Sequence, residues 1–160
     1  MILDIIDLSG MCPPNHKLGI AISFNMNEDC PFYRIVNGSL SARVVAEDEH
    51  ALAFLPKKLA VHGHTLIIPK DHFVSLFDID ADSLASVLSL SKSLAEHYAQ
   101  TINSQGVNIL HASGTAAQQS VPHFHIHLIP RFEQDGVNAW PRFPSYTGDV
   151  DQLHQLCRLG

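Results

Sequence analysis

The chain has little cysteine: only Cys12, Cys30 and Cys157 occur in 160 residues, an odd number at wide spacing. This excludes a disulfide-stapled scaffold and points to a reducing compartment, so a cytoplasmic location is expected. No apolar run approaches the roughly 20 residues needed to cross a bilayer, so no membrane partner is expected. The start, Met1-Ile2-Leu3-Asp4, lacks the basic segment of a signal peptide. Basic residues are scarce as well. Ten Lys and Arg stand against 16 Asp and Glu, for a net charge of −6, which argues against nucleic-acid binding through a basic surface. A small anionic ligand needs only a local pocket and is not excluded. Hydrophobic residues make up 46% of the chain, too many for a disordered one. The length suits one well-packed domain over residues 1–160, with no repeat and no low-complexity segment.

Histidine is plentiful, with 11 in the chain, and its placement is ordered. In His123-Phe124-His125-Ile126-His127-Leu128-Ile129-Pro130, histidine and apolar residues alternate over three cycles. A strand sends successive side chains to opposite faces, so the three imidazoles project from one face and Phe124, Ile126 and Leu128 from the other, into a core. A helix would scatter the rings around its circumference. Three imidazoles on one face can bind a metal, bind phosphate, or serve as nucleophile and proton donor at neutral pH. The residues alone leave these chemistries open.

The rest of the chain reads as short strands and one long helix. Strands are predicted over 41–47 and 51–55, joined by the acidic turn Glu47-Asp48-Glu49-His50, and over 64–69 and 107–111. Asp80 or Asp82 caps a helix whose face is formed by Leu84, Val87, Leu88, Ser91, Ala95 and Tyr98, ending before Gly106. Residues 113–119 form a small polar loop leading into the histidine strand. Residues 17–26 suggest a strand or a turn of helix, and 151–158 a last turn of helix. Trp140 is expected to pack the C-terminal segment, and His62, His72 and His111 to be structural or peripheral. Hairpins, then a helix, then strands again predict an α+β fold with an antiparallel sheet.

Two extended motifs carry a resemblance. Gly63-His64-Thr65-Leu66-Ile67-Ile68-Pro69-Lys70 followed by His72, and Gln119-Ser120-Val121-Pro122-His123-Phe124-His125-Ile126-His127, are similar to the motifs of the histidine triad (HIT) family. Cys30-Pro31-Phe32-Tyr33-Arg34-Ile35-Val36 and Glu47-Asp48 resemble the start of its domain in bacterial-type members. The likeness spans roughly residues 30–140 and leaves 1–29 as an extension of unassigned role. It implies a five-stranded antiparallel sheet with flanking helices, usually dimeric, in a hydrolase or transferase that cleaves at a nucleotide α-phosphorus. Phosphoramidates and dinucleoside polyphosphates are the implied substrates.

By the same resemblance His125 is the nucleophile and forms a nucleotidyl-histidine, with His123 and His127 binding phosphate or assisting proton transfer. His64 supports the triad, and Gln119 and Ser120 contact phosphate and leaving group. Neutral imidazole suits the task, because it attacks without prior deprotonation provided an acceptor holds its other N–H; a backbone carbonyl can do this without adding charge. The scheme calls for no cofactor and no metal. Three positions depart from the family pattern. Pro56 stands where many relatives place the aspartate that holds the ribose, Ala112 replaces an asparagine, and Gln118 replaces a glycine. Phosphoryl chemistry is therefore expected with altered nucleoside preference. Some relatives bind a structural zinc through a Cys-x-x-Cys pair; here Tyr33 takes the second place, and no zinc is expected. A nucleotide-binding module with little turnover and a metal-dependent hydrolase are the alternatives.

Overall fold

A computed structural model of the chain describes residues 29–140 and 142–159. The element suggested at 17–26 lies outside the described residues. Cys30 precedes α1 (Pro31–Val36), where Pro31 presets the helical φ of the first turn. Strands β1 (Arg43–Glu47), β2 (Ala51–Leu55) and β3 (Thr65–Pro69) follow as antiparallel neighbours. Next come α2 (Ala81–Thr101), β4 (Gly106–Leu110), a single 3₁₀ turn at Thr115–Ala117, β5 (Ile126–Arg131) and α3 (Val150–Cys157). The sheet order is β1-β2-β3-β5-β4, every pair antiparallel, so the expected α+β fold with a five-stranded antiparallel sheet is observed.

The sheet has two faces, and the alternation of side chains assigns them. Ala51, Ala53, Ile67, Ile126 and Leu128 join Phe124 beneath α2, against Val87, Leu94 and Tyr98. Leu52, Phe54, Leu66 and Ile68 face the other way, against Cys30, Phe32 and Val121. Helix α2 starts where Asp80 accepts a hydrogen bond from the Ser83 amide at 2.7 Å. Its buried stripe runs through Ser83, Val87, Ser91, Leu94 and Tyr98. The expected stripe differs at two places: Leu88 is 45% exposed, and Leu94, not part of it, is buried. Ser91 is tolerated in the interior because its hydroxyl donates to the Val87 carbonyl at 2.7 Å.

Two expectations are corrected. The ladder of β5 begins at Ile126, not at His123, because Val121–His125 form a bend whose Phe124 amide donates to the Phe73 carbonyl instead of to a neighbouring strand. Alternation of faces nevertheless persists back to Phe124, which is 1% exposed in the α2 core. Trp140 does not pack: it is 75% exposed, the chain there being an irregular segment on the surface.

The turn into β3 depends on Gly63, whose φ is +79°; a Cβ there would lie 2.8 Å from Ile102 Cδ1 and 3.0 Å from Pro130 Cγ. Gly63→Ala combines the left-handed penalty with overpacking and should cost about 2–4 kcal/mol. Equilibrium denaturation measures this, and a variant as stable as the parent would refute the steric argument.

Candidate functional site

The face of the sheet opposite α2 carries the histidines. Register places Phe54 beside Leu66, and Leu66 beside His127, in one row across β2, β3 and β5. His64, one residue before β3, shares the parity of Leu66 and so joins the same face. Phe32 from α1 closes over this face, its ring 5.3 Å from that of His125 and 5.8 Å from that of His123.

Hydrogen bonds fix which nitrogen of each ring carries the proton. The Ala60 backbone N–H donates to His64 Nδ1 at 3.1 Å. A neutral His64 must then carry its proton on Nε2, which lies 3.0 Å from His127 Nδ1 and donates to it. His127 in turn must carry its proton on Nε2, leaving that N–H as a donor. In His125, Nδ1 lies 2.7 Å from the His123 carbonyl, which only accepts, so Nδ1 holds the proton and Nε2 presents a lone pair. The His125 and His127 rings are 5.2 Å apart, one offering a lone pair and the other a donor.

Burial keeps the set neutral. Desolvation pushes His64 down to about 4. His127 is pushed down to about 3, by burial first and then by the neighbouring rings of His125, His64 and His111. Burial lowers His125 as well, against the opposing pull of its bond to the His123 carbonyl. Donation at neutral pH is therefore by neutral N–H and not by imidazolium.

Other expected contacts are placed differently. His123 is fully buried, and both ring nitrogens are engaged: Nε2 donates to the Pro69 carbonyl at 3.0 Å, and Nδ1 lies 3.4 Å from Cys30 Sγ. Its ring has no nitrogen left for a phosphate, while its carbonyl orients His125. Gln119 is likewise committed. Its amide donates to the Val74 and Val121 carbonyls at 2.6 and 2.9 Å, and its oxygen accepts from the Gly114 amide at 2.8 Å. These bonds brace the loop before the histidines. Ser120 is exposed, and its hydroxyl makes no hydrogen bond among the described residues. Gln118 adopts φ +67°, the left-handed region, which explains a glycine there in relatives.

Two of the histidines expected to be structural or peripheral, His111 and His72, border the triad. His111 Nδ1 lies 2.7 Å from the His125 carbonyl and donates to it; its Nε2, 2.7 Å from Ser113 Oγ, accepts from that hydroxyl. His111 thus ties the backbone of His125 to the 113–119 loop. A lone histidine at a strand end gave no signal for this, since the contact is with a main-chain atom. His72 lies beside His123, ring centroids 4.8 Å apart, and its buried Nε2 has no hydrogen-bond partner among the described residues. Ligand atoms of Cys30, His72 and His123 fall within 4.8 Å of one another. The thiol-to-Nδ1 distance of 3.4 Å is close to the ~3.5 Å separating two ligands of a tetrahedral zinc. These three residues fit such an ion, with His72 and His123 supplying donors where Tyr33 supplies none.

The HIT domain family profile matches residues 37–134. A HIT-like protein of Borreliella burgdorferi is 42% identical over 131 residues, covering 80% of this chain and 93% of that protein. The adenosine 5'-monophosphoramidase hnt1 of Schizosaccharomyces pombe is 34% identical over 126 residues, 78% of this chain and 92% of that enzyme. The crystal structure of a HIT family protein from Bacillus anthracis superposes with a TM-score of 0.71 at 35% identity, covering 79% of this chain and 91% of that one.

The low values for His64 and His127 set an acid stability limit. Each has a folded value below the unfolded 6.5, so the unfolded chain binds more protons between about pH 6.5 and the folded values of about 4 and about 3. Stability should be highest above pH 6.5 and fall with acidification through that window, on the order of 2–3 kcal/mol per histidine. Thermal melts from pH 7 to 4 test this; His64→Gln should show a shallower decline, and an unchanged slope would show that His64 is not a source.

Proposed function

We propose that this chain, which belongs to the histidine triad family, hydrolyses or transfers at the α-phosphorus of a nucleotide, with His125 Nε2 as nucleophile. One observation carries the reading: the His123 carbonyl, 2.7 Å from His125 Nδ1, holds that N–H and directs the Nε2 lone pair outward. The likeness to a named adenosine 5'-monophosphoramidase supports a nucleotide phosphoramidate as substrate, with dinucleoside polyphosphates as the wider class.

Attack forms a bond from Nε2 to phosphorus as the bond to the leaving nitrogen or oxygen breaks. The electron pair goes to the leaving atom, which takes a proton from water at the open side, where the Ser120 hydroxyl can donate a hydrogen bond to it. His127, half-buried, offers its Nε2–H to the phosphoryl oxygens, and His64 holds His127 in that tautomer. Water then displaces His125 from phosphorus, the lone pair returns to Nε2, and the released proton goes to solvent. His123, His111 and Gln119 act as positioning residues. A zinc ion held by Cys30, His72 and His123 would supply a cross-link between α1 and the histidine segment.

Strand β4 is an edge, and its Val107 and Ile109, opposite Pro130 and Leu128 on the α2 face of the sheet, are still 38% and 49% exposed. We place a second copy of the chain there, giving a homodimer. Three widely spaced cysteines suit a reducing cytoplasm. No helix among the described residues is long and apolar enough to cross a membrane.

His125→Ala should lower turnover of adenosine 5'-phosphoramidate by about 10³-fold or more, with and without chelator, whereas His125→Asn should retain binding. Appreciable residual turnover in the alanine variant rules out covalent catalysis at His125. Binding by the parent without turnover favours a nucleotide-sensing module, and activity lost on chelation favours a metal-dependent hydrolase. Ile109→Asp should convert the dimer to monomer by light scattering; a parent chain that is already monomeric removes the dimer.

A further inference from the structure

The main chain of the proposed nucleophile lies where the sheet ladder gives out. Leu110 pairs with His127 at the end of β4, so in a continued antiparallel ladder residue 112 would face His125. The strand stops short of that pair, and a side chain takes the carbonyl instead: His111 Nδ1 donates to the His125 oxygen at 2.7 Å. The His111 ring rests on that of Phe124 from the α2 core, centroids 4.4 Å apart.

What holds His111 is equally well determined. A neutral imidazole that donates through Nδ1 has only a lone pair on Nε2. Ser113 Oγ, 2.7 Å from that nitrogen, must therefore turn its proton toward it. The same oxygen accepts from the Leu76 amide at 2.8 Å, and an amide N–H only donates. Leu76 sits in a turn closed by the Asp78 carboxylate, which accepts from the Val74 and Ser75 amides at 2.7 and 2.6 Å. Three hydrogen bonds thus run in one direction from a braced turn to the main chain of the nucleophile: Leu76 N–H to Ser113, Ser113 O–H to His111, and His111 N–H to His125. Aligned bonds of this kind polarise and strengthen one another. Ala112 has no polar side-chain atom, so the hydrogen bonding of this stretch falls to its two neighbours.

We infer that Ser113 is a positioning residue for the reaction: by fixing the tautomer of His111 it holds the His125 carbonyl, and with it the ring whose Nε2 attacks. The inference rests on the reading of His125 as nucleophile. It gives Ser113 a role distinct from that of Ser120, whose exposed hydroxyl serves the leaving group. It also couples the turn at residues 74–78 to the reacting ring through polar atoms alone.

Two measurements test this together. Imidazole nitrogen NMR of the full-length protein at neutral pH reads which nitrogen of each ring is protonated. His111 should carry its proton on Nδ1. Ser113→Ala should displace the His111 and His125 signals, whereas Ser113→Thr, which keeps the hydroxyl, should leave them near the parent positions. The second measurement is single-turnover kinetics with adenosine 5'-phosphoramidate. In Ser113→Ala the saturating rate of nucleotidyl transfer to His125 should fall about tenfold, with the half-saturating concentration within about twofold and the melting temperature unchanged. Ser113→Thr should restore most of the rate. A parent protein with the proton on His111 Nε2 overturns the inference, and so does a Ser113→Ala protein with parent-like His125 signals or rate. A loss that appears only in the half-saturating concentration, or that follows a lowered melting temperature, assigns Ser113 to loop stability and also overturns it. A parent that binds the phosphoramidate without turnover removes the hydrolase reading instead, and the His125 signals still decide the positioning.

Discussion

Everything at the site depends on two main-chain contacts that decide where protons sit. The Ala60 amide can only donate, and the His123 carbonyl can only accept. Between them they force His64, His127 and His125 into a single arrangement of neutral tautomers, with a lone pair on one ring and an N–H on the next. Burial strengthens the arrangement by making every charged alternative costly. A charged partner such as a carboxylate would orient a ring equally well, but it would also favour imidazolium, which has no lone pair on the attacking nitrogen.

The fold exists to hold that geometry between two unlike layers. On one side α2 supplies a dry floor through Val87, Leu94 and Tyr98, against which Phe124, Ile126 and Leu128 anchor the histidine segment. On the other side α1 is only six residues long and contributes mainly Phe32, whose edge meets two of the imidazoles. Because Val121–His125 lie outside the ladder, the segment is fixed by individual bonds: the Phe124 amide to Phe73, His123 to Pro69, and His111 to the His125 carbonyl. Gln119 closes the loop ahead of it in the same manner.

Much of this was legible in the sequence. Alternation over 123–128 assigned faces correctly, because period-two placement survives even where ladder bonds do not. Strand β2 and the Asp80 cap followed from the acidic turn before a short apolar run and from capping chemistry. Helix α1 was missed as a helix, since six residues beginning with proline present less than two turns of periodicity. The exchange of Leu88 for Leu94 arose because leucines sit at both positions and only contact with the sheet chooses between them. The roles of His111, His72 and Gln119 were hidden for a common reason: their partners are backbone atoms or residues distant in the chain, to which composition and local spacing are blind.

The division of labour between main chain and side chain has a further consequence for how such a protein can change over time. The atoms that tune the reacting rings belong to the backbone of Ala60 and His123, and most single substitutions leave a backbone amide or carbonyl in place. Elsewhere on the histidine face a cavity of about 470 Å³ is lined by residues that include Ile35, Leu40, Phe54 and Pro56. Side-chain substitution can therefore reshape that cavity while the backbone contacts that set the tautomers of the rings stay in place, so the two can vary independently.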